Sequence, residues 1–171
     1  MKTILILAAG AALAALTACS RNNDSGNQTG TTNGATGLQV NALSTASECM
    51  SAADMARPLA EISPEERVRM ISCLNAATAR QINTQLPRQA GEDMRLDRIT
   101  TEGPLLTYHY TVTRPASELS AQFGQQLEAT QRRIVCTQPQ ARQTIEFGGA
   151  YGFRWVDNQG VVIRELRIDA C

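Results

Sequence analysis

The sequence predicts an α+β fold, a small antiparallel sheet of two hairpins (about four strands) packed with two to four helices and held by two disulfides. Three observations carry that expectation. Ser63-Pro64-Glu65-Glu66 opens a long stretch with apolar residues at helical spacing. Segments 95–113 and 151–171 alternate apolar with polar residues around turn-forming pairs. Four cysteines, Cys49, Cys73, Cys136 and Cys171, are spread through the same region.

The elements follow in chain order. Residues 46–56 (ASECMSAADMA) suit a short helix that stops before Pro58. Ser63 as N-cap, Pro64 at the first helical position and Glu66 three after the cap form a capping box. Val68, Ile71, Leu74 and Ile82 then mark the apolar face of a helix running to about Thr84, with Pro87 beyond it. Strands are expected at 95–102 and 105–113 around Gly103-Pro104. In the second of them Leu106, Tyr108, Tyr110 and Val112 alternate with Thr107, His109 and Thr111. Ser117 suits the cap of a helix reaching Val135, with a shorter helix near Pro139–Phe147 stopped by Gly148-Gly149. Tyr151, Phe153 and Trp155 then alternate with Gly152, Arg154 and Val156, and Asp157-Asn158-Gln159-Gly160 turns the chain into a last strand.

The N-terminus reads differently. Lys2 is followed by an uncharged apolar run from Ile4 to Ala15, too short for a bilayer span of roughly 20 residues. Charge, short apolar stretch and small residues together read as an export leader, 1–18. Leu16-Thr17-Ala18-Cys19 resembles the bacterial lipobox. The resemblance implies a lipidated Cys19 as the new first residue, and two or more acyl chains suffice for stable membrane anchoring. Ser20 rather than Asp after that cysteine implies, by analogy with the enterobacterial sorting rule, the periplasmic face of the outer membrane. Residues 19–44, rich in Gly, Asn, Thr and Ser, are expected to be a disordered polar tether. Residues 45–171 are expected to form a single α+β domain.

With Cys19 assigned to lipid, the odd total of 5 cysteines leaves an even set in an oxidising compartment. Four cysteines allow three pairings. Cys49–Cys73 with Cys136–Cys171 is preferred, the first pinning the N-terminal segment to the long helix and the second holding the C-terminus.

The formal net charge is +0, and Lys2 is the only lysine. No basic run suggests nucleic acid as a partner. His109 is the only histidine, without a second His or an obvious free thiol for a metal or a nucleophile to share. No metal, cofactor or catalytic residue is therefore expected. Glu65/Glu66 fit the first turn of a helix, and Glu92/Asp93 a polar loop, better than a carboxylate pair in a cleft. A binding face remains, with Arg154, Arg164 and Trp155 on the last hairpin as its candidate residues. The aromatic row containing Trp155 also suits a core.

The order Asn83-Thr84-Gln85-Leu86-Pro87, Arg95-Leu96-Asp97, Leu106 to Thr111, Cys136, Pro139, Arg142, Gly149 to Trp155, Asp157, Gly160 and Cys171 resembles a group of small proteobacterial exported proteins and lipoproteins. The resemblance covers roughly 75–171, implies a Cys136–Cys171 bridge and carries no activity. In architecture the chain is also similar to the disulfide-bonded pilotin lipoproteins that escort secretin subunits to the outer membrane. These features imply a non-enzymatic lipoprotein that binds an envelope protein or cell-wall partner. The alternatives are a periplasmic inhibitor of a lysozyme-like hydrolase and a cell-envelope hydrolase working around His109.

Overall fold

The computed structural model describes residues 31–33 and 39–171. The leader 1–18, the lipid site Cys19 and most of the tether lie outside the described residues. Within the stretch expected to be tether, β1 (Thr31–Asn33) and β2 (Gln39–Asn41) pair as an antiparallel ribbon, and α1 (Ala42–Cys49) begins directly after it. The expectation of a structureless segment through residue 44 is corrected there. Thr31, Thr32 and Val40 favour extended backbone, and β2 lies against the long helix α3.

The helix expected over 46–56 is two helices. After α1 the chain breaks at Met50-Ser51, and Ser51 caps α2 (Ala52–Ala56) through a capping box with Asp54. The Ser63 capping box is present as well: the Ser63 side chain accepts from the Glu66 N–H, the Glu66 carboxylate accepts from the Ser63 N–H, and α3 runs Pro64–Asn83. Arg57 reaches over to the same Glu66 carboxylate at 3.2 Å, tying the preceding turn to the start of the helix.

The sheet has five strands in the order β3 (Arg88–Gly91), β4 (Met94–Glu102), β5 (Leu105–Val112), β6 (Ala150–Val156) and β7 (Val162–Ile168). The two expected hairpins are β4–β5 and β6–β7. At Gly103 the backbone takes φ 55°, a left-handed value that glycine adopts at no steric cost. Two features depart from the expected sheet. Strand β3 is an added edge in a segment without alternating apolar residues, and its pairing with β4 is interrupted between Gln89 and Gly91. The joint between the hairpins is parallel: from Val112 the chain passes through α4 (Phe123–Thr137) and α5 (Pro139–Glu146) before entering β6 alongside β5 in the same direction.

The helix expected from Ser117 begins later. Residues Ala116–Glu118 form a 3₁₀ turn after Pro115, and α4 starts at Phe123 without a side-chain cap. The Ala116 N–H is held by Asp157 Oδ2 at 2.8 Å, which fixes this connection against the β6–β7 turn instead.

One face of the sheet carries the core. Leu96, Ile99, Leu106, Tyr108, Tyr110, Tyr151, Phe153, Trp155, Leu166 and Ile168 pack with Ala79 and Ile82 of α3, Val135 of α4 and Ala141 of α5. Tyr108, Phe153, Trp155 and Tyr110 form a stacked row with centroids 5.5, 5.7 and 6.1 Å apart. Beyond β3, the outer edge of β4 is satisfied by a helix side chain. Asn83 Nδ2 donates to the Ile99 carbonyl at 2.8 Å, and its Oδ1 accepts from the Ile99 N–H at 2.7 Å. Disulfides join Cys49 to Cys73 and Cys136 to Cys171.

Candidate recognition face

Because side chains alternate along a strand, the residues between the core positions must face the other way. Register places Arg98, His109, Arg154 and Glu165 in one row across β4, β5, β6 and β7. The adjacent row is Thr100, Thr107, Gly152 and Arg167. At its centre the Thr107 side chain fills the space beside the buried Gly152: a Cβ built on Gly152 would come within 2.5 Å of Thr107 Oγ1 and 3.1 Å of Thr107 Cβ. The two rows set polar threonines and Arg167 beside a line of charges.

The electrostatics of this face are uneven. Arg154 pairs with Glu165 across the hairpin, and Arg167 pairs with Asp169 at 3.1 Å. Arg95 pairs at 2.5 Å with Asp97, whose other oxygen accepts from Thr111 Oγ1. Arg98 has no carboxylate partner among the described residues. His109, half-buried between these strands, shares a 2.7 Å hydrogen bond between Nε2 and Thr100 Oγ1. Partial burial, reinforced by the Arg98 and Arg154 guanidiniums, pushes its imidazole below the ordinary range.

The three residues expected to share a binding face do not share one. Arg154 lies on the open face. Trp155, the next residue, points to the opposite side and is 0% exposed in the core. Arg164 is the register partner of Trp155, so it also points to the helix side, where its Nε donates to Glu128 of α4 at 2.8 Å. Strand alternation alone was sufficient to separate Arg154 from Trp155. Arg98 and Gly152 were not singled out from the sequence. A bulge between Leu96 and Arg98 resets the alternation in β4, so no period-two count brings Arg98 beside His109.

A hydrolytic centre around His109 requires a pocket and a carboxylate oriented on the imidazole. His109 instead stands on the open sheet face, hydrogen-bonded to a threonine hydroxyl, and no group of acidic, His or Cys side chains able to hold a metal occurs among the described residues. What this arrangement offers chemically is guanidinium forks and an imidazole on an exposed strand face.

The fold is similar to those of two solved structures. A protein of Pseudomonas aeruginosa described as secreted aligns with a TM-score of 0.54 and 20% identity, covering 61% of this chain and 93% of its own. The pilotin EpsS of the Vibrio vulnificus type 2 secretion system aligns with a TM-score of 0.54 and 16% identity, covering 61% of this chain and 92% of its own. At such identities the fold is what is shared. No protein-family profile matches the chain, and no curated protein matches it.

Proposed function

We propose that this chain is a non-enzymatic lipoprotein, anchored through a lipid on Cys19 at the periplasmic face of the outer membrane, whose folded part binds an envelope protein in a pilotin-like accessory role. The observation that carries this reading is the likeness to EpsS, which extends over 92% of that pilotin. Supporting it are the lipobox-like Leu16-Thr17-Ala18-Cys19 and a sheet that is covered by helices on one face and polar on the other. Residues 19–44 serve as the tether, contributing the short ribbon and the start of α1, and 45–171 act as one folded unit.

Such a role makes a specific cellular prediction. Deleting the gene should shift at least one outer-membrane protein into the inner-membrane fraction, and the wild-type gene should restore it. Quantitative proteomics of separated membranes reads this directly. An unchanged outer-membrane protein profile would count decisively against the accessory role.

A further inference from the structure

Arg98, His109 and Arg154 are adjacent in one row on β4, β5 and β6, and their carboxylate supply is incomplete. Arg154 shares Glu165, whereas Arg98 has no carboxylate among the described residues. The charged groups facing His109 are Arg98 and Asp97 from β4, Arg154 from β6 and Glu165 from β7. Asp97 is engaged by Arg95 and Thr111, and Glu165 by Arg154. Glu102, the next carboxylate along β4, lies at the hairpin end, two register rows from Arg98.

We propose that this row takes an acidic segment of the envelope partner, with carboxylates on Arg98 and His109. The inference rests on the binding reading above and adds the partner's chemistry. A guanidinium without a carboxylate is a charge-assisted donor fork awaiting one, and such bonds are about twice as strong as neutral ones. The imidazole contributes only when protonated. In the free protein its neighbours oppose the proton, and a carboxylate delivered by the partner favours it. Binding is therefore linked to proton uptake at His109 and tightens as pH falls through the histidine range.

The test uses the full folded chain and a short synthetic peptide alternating Glu and Ser, with Gln/Ser and Lys/Ser peptides as controls, followed by amide chemical shifts at low salt. The expected result is shifts centred on Arg98, His109 and Arg154. Arg98→Glu should weaken binding about tenfold. Affinity should rise about threefold from about pH 8 to about pH 6, and His109→Gln should abolish that pH dependence. Failure of the acidic peptide to bind, shifts confined to another surface, equal binding of a control peptide, or preferential binding of phosphatidylglycerol vesicles would each overturn the proposal. The peptide assay does not depend on delivery of any cellular partner. Normal membrane fractionation in an Arg98→Glu strain would likewise sink the acidic-segment proposal while leaving the accessory role intact.

Discussion

Gly152 shows how one missing side chain makes room for a neighbour. Its register partner across the parallel joint is Thr107, and an added Cβ would meet Thr107 Oγ1 at 2.5 Å, Cβ at 3.1 Å and Cγ2 at 3.2 Å. Rotating Thr107 about χ1 leaves its own Cβ in place, so the strands must separate slightly. Gly152→Ala is expected to destabilise the protein by about 1–2 kcal/mol in urea unfolding. Thr107→Ala in the same chain should recover part of that loss, a favourable coupling in a double-mutant cycle. Asp157 acts on folding in a different way. Only 2% exposed, it accepts from the N–H groups of Ala116, Gln159 and Val161 at 2.8, 2.9 and 2.8 Å. These bonds, led by that from Ala116, hold its carboxyl below the ordinary value of 3.8. A carboxylate with a depressed folded pKa contributes stability that is present above the unfolded pKa and lost as pH falls through the folded one. Thermal melting should therefore decline below about pH 4, and Asp157→Asn should lower stability at neutral pH while flattening that acid limb.

Single elements divide into those their own residues specify and those that depend on distant parts of the chain. The start of α3 was legible because Ser63, Pro64 and Glu66 are neighbours in sequence, and both hairpins because alternation and turn residues are local signals. Strand β3 was not, because Arg88-Gln89-Ala90-Gly91 has no pattern of its own and becomes a strand by pairing with β4. The parallel β5–β6 joint was equally hidden, since it follows from where α4 and α5 return the chain. Of the candidate face, Arg154 was legible as a strand-surface residue, whereas Arg98 depends on the bulge in β4. Disulfide effects belong to this scale too. Cys49–Cys73 closes a separation of 24 and fastens α1 to α3, alongside an Arg80–Glu48 ion pair at 2.8 Å and a Gln81–Thr45 hydrogen bond at 2.9 Å. Cys136–Cys171 closes a separation of 35 and ties the end of α4 to the C-terminus beyond β7. Loops of these lengths correspond to about 3–4 kcal/mol each in the chain-entropy model. Replacing Cys49 and Cys73 by serine should accelerate amide exchange in α1 while β5 and β6 remain protected. Replacing Cys136 and Cys171 should instead lower the global unfolding free energy by about that amount, with exchange rising across the sheet.

For the whole molecule, the proposed reading separates address from recognition. The address is four residues ending at Cys19, and the sheet and its helices begin some twenty residues later, at about residue 42. Among the described residues, the core cluster contains none before Ala79. The folded part should therefore be indifferent to lipidation, while location should depend on it entirely. Two or more acyl chains, at about 0.8 kcal/mol per buried methylene, hold a protein on a membrane that its near-neutral surface would not hold alone. Cys19→Ser should release the protein from the membrane fraction. The mass of the wild-type protein should correspond to a lipid-modified chain starting at Cys19. Melting temperature and the emission of the single, buried Trp155 should be the same for the released variant as for the isolated folded region. Acidic-peptide affinity should also be unchanged, because Arg98, His109 and Arg154 lie on the sheet. Delivery of the envelope partner should nonetheless fail in cells carrying only Cys19→Ser, because a bound partner would no longer be brought to the membrane. If delivery continued normally from the soluble variant, the lipid would be dispensable and the anchored, pilotin-like role would be wrong.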